Sequence, residues 1–230
     1  IYMLIISTSD IHSPRYLTEF FLALRELGNI KADLALLAGD LVERGEYLHF
    51  TPVYNALKNR VKQIVSIFGN EDFIENRKFY RENYSDIIWL EDEKVEIKIE
   101  NRKLIIIGSE GVLEKPTLWQ TSNGITEDLY MKRLEKITEM SCNSKADIKI
   151  LLTHYASTFE TVFGERKSVY PHLGYRVLEE LSTKGKDCLP NIAIHGHAHY
   201  AKRTLSVVKS VRVYNVALPA NKRIITIHTL

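Results

Sequence analysis

Five short segments of this chain carry carboxylate, amide and imidazole side chains in a fixed order. They are Asp10-Ile11-His12, Gly39-Asp40, Gly69-Asn70, Thr153-His154 and Gly196-His197-Ala198-His199. Each follows an apolar run that reads as a buried strand. Oxygen and imidazole donors without thiolates suit Mn, Fe, Zn, Ni or Co, and disfavour Ca or Mg. Two divalent ions roughly 3.5–4 Å apart need a shared carboxylate and several terminal ligands. Such a pair lowers the pKa of a bridging water toward neutrality, giving hydroxide as nucleophile. Singly, Asp and Asn after a strand are ordinary loop or capping residues. Together they predict a two-metal hydrolytic site, and four of the chain's eight histidines fall in the set.

The elements that must position these residues are legible in the hydrophobic pattern. Residues 3–8, 33–38, 61–68, 148–152 and 192–194 read as strands ending at the five segments. Apolar residues at helical spacing predict helices over 17–27, 47–57, 126–140 and 177–181, with Gly28 as a stop for the first. Short strands are expected at 87–90, 95–99 and 104–107. The stretches 205–208, 211–216 and 224–228 read as strands without helices between them. Hydrophobicity that is continuous rather than alternating implies strands covered on both faces. The expected fold class is α/β, with strands packed face to face and helices outside, in one domain spanning residues 1–230. Since strands have a period of two, Asp10 and His12 are expected to point the same way, as are His195, His197 and His199.

The net charge of +2 is too small to argue for nucleic acid or a membrane surface as partner. No apolar run approaches the roughly 20 residues that span a bilayer. The N-terminal run Ile1-Tyr2-Met3-Leu4-Ile5-Ile6 lacks a basic leader and reads as a core strand rather than a signal peptide. Only Cys142 and Cys188 are present, without a CxxC pair. A disulfide framework is therefore not expected, and a reducing, cytoplasmic setting fits best.

In order and approximate spacing the five segments resemble the calcineurin-like metallophosphoesterases, from residue 10 to residue 199. The resemblance implies an α/β/β/α sandwich of two mixed sheets flanked by helices, and hydrolysis of a small phosphate ester at a dinuclear metal centre. It implies one ion held by Asp10, His12 and His199, and another by Asn70, His154 and His197, with Asp40 bridging. Many members carry His directly after the Asn70 position, where it acts on the leaving group or scissile phosphate. Here the residue is Glu71, a candidate general acid whose carboxyl two nearby cations would hold ionised. Gly39-Asp40-Leu41-Val42-Glu43-Arg44-Gly45 is locally similar to the GDxVDRG block of serine/threonine protein phosphatases. That likeness makes Arg44 a candidate phosphate clamp.

His195 is a candidate proton relay or further ligand, and equally a strand-end residue bonded behind the ligands. The loop from Tyr155 to Pro171 directly follows His154 and could wall a substrate pocket, its aromatics packing beneath it. The reading is a phosphohydrolase, more a phosphodiesterase than a monoesterase. The alternative is a non-catalytic scaffold of the same fold that binds a protein partner, as the family's retromer subunit does. A nuclease is disfavoured by the absence of a basic stripe.

Overall fold

A computed structural model describes residues 3–229 of the chain; Ile1, Tyr2 and Leu230 lie outside the described residues. The first half alternates β1 (Met3–Thr8), α1 (Leu17–Glu26), β2 (Ala32–Ala38), α2 (Thr51–Leu57), β3 (Val61–Ile67), α3 (Arg77–Asn83) and β4 (Ile87–Leu90). A hairpin of β5 (Glu93–Ile99) and β6 (Arg102–Ser109) follows, then α4 (Leu118–Ser122), α5 (Glu127–Cys142) and β7 (Ile148–Thr153). The chain continues through α6 (Val177–Lys184), β8 (Ile192–His195), β9 (Leu205–Val208), β10 (Val211–Asn215), α7 (Leu218–Asn221) and β11 (Ile225–Thr229).

Two mixed sheets result, of order β11-β1-β2-β3-β4 and β5-β6-β7-β8-β10-β9. In the first, β1 to β4 run parallel and β11 joins β1 antiparallel. In the second, β6, β7, β8 and β10 run parallel, and β5 and β9 close the edges antiparallel. Alternate residues of each strand serve different layers. Ile5, Leu36 and Val65 join Ile106, Ile150 and Ile194 in one apolar layer between the sheets. Ile6, Leu37 and Ile64 face outward onto Phe20, Val53 and Tyr80 of the first helical layer. Ile105, Ile107 and Leu151 do the same against Tyr130, Ile137 and Leu178. The fold is thus the α/β/β/α sandwich that the hydrophobic pattern and the family resemblance imply.

The differences are local. The helix expected over 47–57 begins as a 3-10 turn at Tyr47–Phe50, and the α-helix starts where Pro52 supplies a favourable first-turn residue. The short helices α3 and α4 were not evident from periodicity, and α7 interrupts the C-terminal run of strands. No described helix is long and apolar enough to cross a membrane.

The cysteine expectation is overturned. Cys142 closes α5, Cys188 lies in the 3-10 turn Lys186–Cys188, and the two form a disulfide. They are 46 residues apart, and only the packing of α5 beside α6 and this turn brings them together. The bridge removes the argument from cysteine usage for a reducing compartment. Replacing both cysteines by Ser is expected to lower the unfolding free energy by about 2–4 kcal/mol, read from the urea midpoint. An unchanged midpoint would mean that the bridge does not constrain the chain in solution.

Candidate metal centre

Every candidate ligand sits just past the carboxyl end of a parallel strand, where sites gather in such sheets. Asp10 and His12 follow β1, Asp40 follows β2, Asn70 follows β3, His154 follows β7, and His197 and His199 follow β8. Backbone hydrogen bonds lace these ends together. Asp10 N–H donates to Gly39 O at 3.0 Å, His12 N–H to Asp40 O at 3.1 Å, and Gly196 N–H to His154 O at 3.0 Å.

The expected strand periodicity does not aim the side chains. β1 stops at Thr8, and Asp10 and His12 lie in the left-handed region at φ 55° and 41°. Asp40 and His197 do likewise at φ 50° and 67°. Such conformations are costly for residues with a Cβ and persist where the surroundings over-determine them. The motif glycines serve close approach. A Cβ on Gly69 would stand 2.2 Å from Asp40 Oδ1, and one on Gly196 would stand 2.4 Å from Asp10 Oδ2. Only bare backbone lets these loops lie against the two carboxylates.

The side chains converge as two groups able to hold a cation, Asp10 with His12 and His199, and Asp10 and Asp40 with His154 and His197. His199 Nε2 is 2.9 Å from Asp10 Oδ1. His154 Nε2 lies 3.1 Å from Asn70 Oδ1 and 3.4 Å from Asp40 Oδ2, which brings Asn70 to the second group. His154 Nδ1–H donates to Ala38 O at 2.9 Å, so Nε2 is the nitrogen presented to the carboxylates. His197 Nε2–H donates to His172 O at 3.1 Å, which leaves Nδ1 to ligate.

Burial and charge oppose each other throughout. Burial disfavours ionised Asp10, yet His199, His154 and His12 around it hold the carboxyl far below the carboxylate range. Burial works against Asp40 too, and His154 above all keeps it ionised. Burial would neutralise His154, but Asp40 and Asp10 push it up to about 10. Burial together with that His154 charge pushes His197 down to about 4. Two buried carboxylates therefore demand positive charge between them. A divalent cation meets that demand with ligand atoms already converged on it. His12 Nε2 fits the same account: it is buried without a hydrogen-bond partner, 3.8 Å from Asp10 and 3.7 Å from Asp40.

The other candidates separate. Arg44 is exposed at the tip of a left-handed turn and lines a cavity of about 290 Å³ with Asn70 and His197. Glu71 braces that turn: its Oε2 accepts from Arg44 N–H at 2.8 Å, and its own N–H donates to Asp40 Oδ1 at 2.8 Å. His195 lies outside both groups. Because β8 ends there and the chain turns, it is fully buried, with Nδ1–H donating to Gly196 O and Nε2 accepting from Thr161 Oγ1. Burial pushes it down to about 4. The loop after His154 puts Arg166 and Val169 on a cavity of about 770 Å³ that also reaches Asp40, His197 and His199. Its Phe159 and Tyr170 stack on each other beneath it, at 5.7 Å.

Three further residues support these groups from behind. Asp72 accepts from Leu41 N–H and Gly69 N–H, tying the two turns that carry Asp40 and Asn70. Asn215 donates to Ala198 O and holds the HGHAH turn. His172 orients His197 through its carbonyl. Only the position of Asp72, two residues after Asn70, was a usable signal.

The chain belongs to the calcineurin-like phosphoesterase family, whose model matches residues 3–201. Among curated proteins none matches it. Its structure is similar to the phosphopantetheinyl hydrolase PptH of Mycobacterium tuberculosis, with TM-score 0.64 and 11% identity over 95% of this chain and 90% of that one. The sulfate thiohydrolase SoxB of Thermus thermophilus aligns at TM-score 0.54 and 12% identity, over 97% of this chain and 53% of that one. GAP50, the anchor in the inner membrane complex of Plasmodium, aligns at TM-score 0.50 and 11% identity, over 95% of this chain and 72% of that one. At such identities the likeness is one of fold alone.

The carboxylates of Asp40 and Asp10 favour protonated His154. Were His154 to ligate a cation, it would have to give up that proton, so binding would release protons and strengthen as pH is raised. Calorimetry in buffers of different ionisation enthalpy should give buffer-dependent heats; identical heats would remove His154 from the ligand set.

Proposed function

We propose that this chain is a dinuclear metal-dependent phosphodiesterase acting on a small phosphate ester. The observation that carries the reading is that two buried carboxylates stand between the groups: Asp10 belongs to both, and Asp40 lies within reach of each. Asp40 Oδ2 stands 3.7 Å from His12 of one ligand group and 3.4 Å from His154 of the other, where a shared carboxylate belongs. Asp10, His12 and His199 would hold one ion, and Asn70, His154 and His197 the other. When bound, such ions supply a nucleophile at neutral pH and offset the charge that grows on the phosphoryl oxygens.

The protein's own residues supply the rest. Ala38 O fixes the His154 tautomer and His172 O fixes that of His197. Arg44 lies beside Asn70 and His197, where a guanidinium can take two oxygens of one phosphate. Diesters are favoured by space, since the larger cavity with Arg166 and the smaller one with Arg44 meet at Asn70, Glu71 and His197. Each substituent of a diester then has a place of its own. Glu71 instead of His leaves the leaving group without the usual proton donor, which matters least for a good leaving group.

The second reading, a non-catalytic scaffold that binds a protein partner, draws on that same Glu71, whose carboxylate serves the Arg44 turn. The test is turnover of bis-p-nitrophenyl phosphate and p-nitrophenyl phosphate by metal-stripped protein given back Mn, Ni, Zn or Mg. Metal-dependent turnover favouring the diester is expected, with Asp40→Ala losing bound metal and activity together. Arg44→Ala should lower kcat/KM by roughly 10- to 100-fold, the worth of a charge-assisted hydrogen bond. No turnover with both ions bound would favour the scaffold.

A further inference from the structure

Beyond the Arg44 cavity lies another of about 450 Å³, and the two share Asn70, Phe73, Trp119 and Gln120. Its rim is apolar and open. Trp119 is 59% exposed and Ile74 is 70% exposed, with exposed Leu129 and half-buried Phe73 completing the edge. Large exposed apolar side chains gathered around one concavity call for an occupant, whereas scattered ones do not.

The support beneath these side chains is hydrogen-bonded and close-packed. Trp119 stands on α4, which opens with a reciprocal capping box between Thr117 and Gln120. Gln120 then donates through Nε2 to Tyr155 Oη at 3.0 Å, and the Tyr155 ring packs 5.0 Å from that of His197. Phe73 is set by the other wall. Gly45 follows Arg44, and a Cβ there would stand 2.5 Å from the Phe73 ring, so the ring occupies the space the glycine leaves. Both aromatic side chains are thus tied to residues of the metal centre or the phosphate clamp. The two guanidinium groups of the floor are already paired, Arg77 with Glu91 and Glu110, and Arg133 with Asp92 and Glu110, while the exposed carboxylate of Glu75 also lines the cavity. An anionic substituent would find those cations taken, and a flat neutral one would find two aromatic side chains to pack against.

We propose that this cavity is the subsite for a planar aromatic substituent of the substrate, seated against Trp119 and Phe73 while the phosphate lies at Arg44 and Asn70. The assignment rests on the phosphodiesterase reading and narrows it to diesters bearing an aromatic ring on one side. Trp119 is one of two tryptophans, and the other, Trp89, is buried, so emission changes on binding report chiefly on Trp119.

The test titrates metal-reconstituted protein with p-nitrobenzylphosphonate and with methylphosphonate, following tryptophan emission and heat. The aromatic phosphonate is expected to quench emission saturably and to bind about fivefold or more tightly than the methyl compound. Trp119→Phe should keep the preference, and Trp119→Ala should bring it close to unity. Equal affinities for the two phosphonates, or an undiminished preference in Trp119→Ala, overturn the subsite while diester turnover stands. If neither phosphonate binds and diester turnover is also absent, the phosphodiesterase reading falls and the subsite with it.

Discussion

Two ionised carboxylates buried a few ångströms apart cannot stand alone, and much of the site follows from that constraint. Asp10 and Asp40 are almost wholly removed from solvent, and each is held ionised by imidazoles rather than by water. The cost of burying such charge is several kcal/mol per ion unless geometry and hydrogen bonds repay it. Here Asp10 accepts from Ser9 Oγ and His197 N–H, and Asp40 accepts from Glu71 N–H, so oxygens not facing the imidazoles are also satisfied. His154 is forced to carry a proton in the same centre where His197 is kept neutral.

The two sheets exist, in functional terms, to bring the ends of five strands to one place. Asp10, Asp40 and Asn70 come from one sheet, and His154, His197 and His199 come from the other. The centre therefore straddles the sandwich, and neither sheet alone assembles it. The lacing is done by backbone: Ser9 N–H bonds Val216 O, and Val216 N–H bonds His195 O, joining the ends of β1, β8 and β10. With backbone fixing the loops, Asp10, His12, Asp40 and His197 can be held at positive φ, conformations that free loops of these residues would leave. Glycine is needed where a loop must lie flat against a carboxylate, and this accounts for its place before Asn70 and His197.

The sheet strands and the side chains that converge at their ends were legible because each reports on a local rule. Continuous apolar runs mark strands covered on both faces, as Leu34–Ala38 and Ile148–Leu152 are, and ligand types stand immediately after them. What was not legible depended on distance in sequence. Cys142 and Cys188, Asp72 beneath Leu41, and Asn215 beneath Ala198 are joined only by tertiary packing. His195 was ambiguous for another reason. Its relation to His197 depended on whether the strand continued, and the left-handed turn after β8 separates them. The helix α4 escaped periodicity because Leu118 and Trp119 are exposed rather than buried.

Glu71 shows how one changed residue redistributes roles without disturbing the ligand set. Its backbone N–H still holds Asp40, as any residue at that position could do. Its side chain turns to the Arg44 amide and, with Gly45 N–H bonded to Glu71 O at 2.9 Å, ties the 43–46 turn to the Asn70 loop. Phe73 then packs over Gly45 from the same loop. The carboxylate that replaces a proton donor thus serves to position a cation and an aromatic ring at one edge of the metal centre. Rate lost by removing an acid is least where the departing oxygen is already acidic, and precise placement of a substituent is then worth more. The Glu71 brace, the Arg44 turn and the Phe73–Trp119 cleft form one physical unit, which on the proposed reading would hold a phosphate ester rather than protonate it.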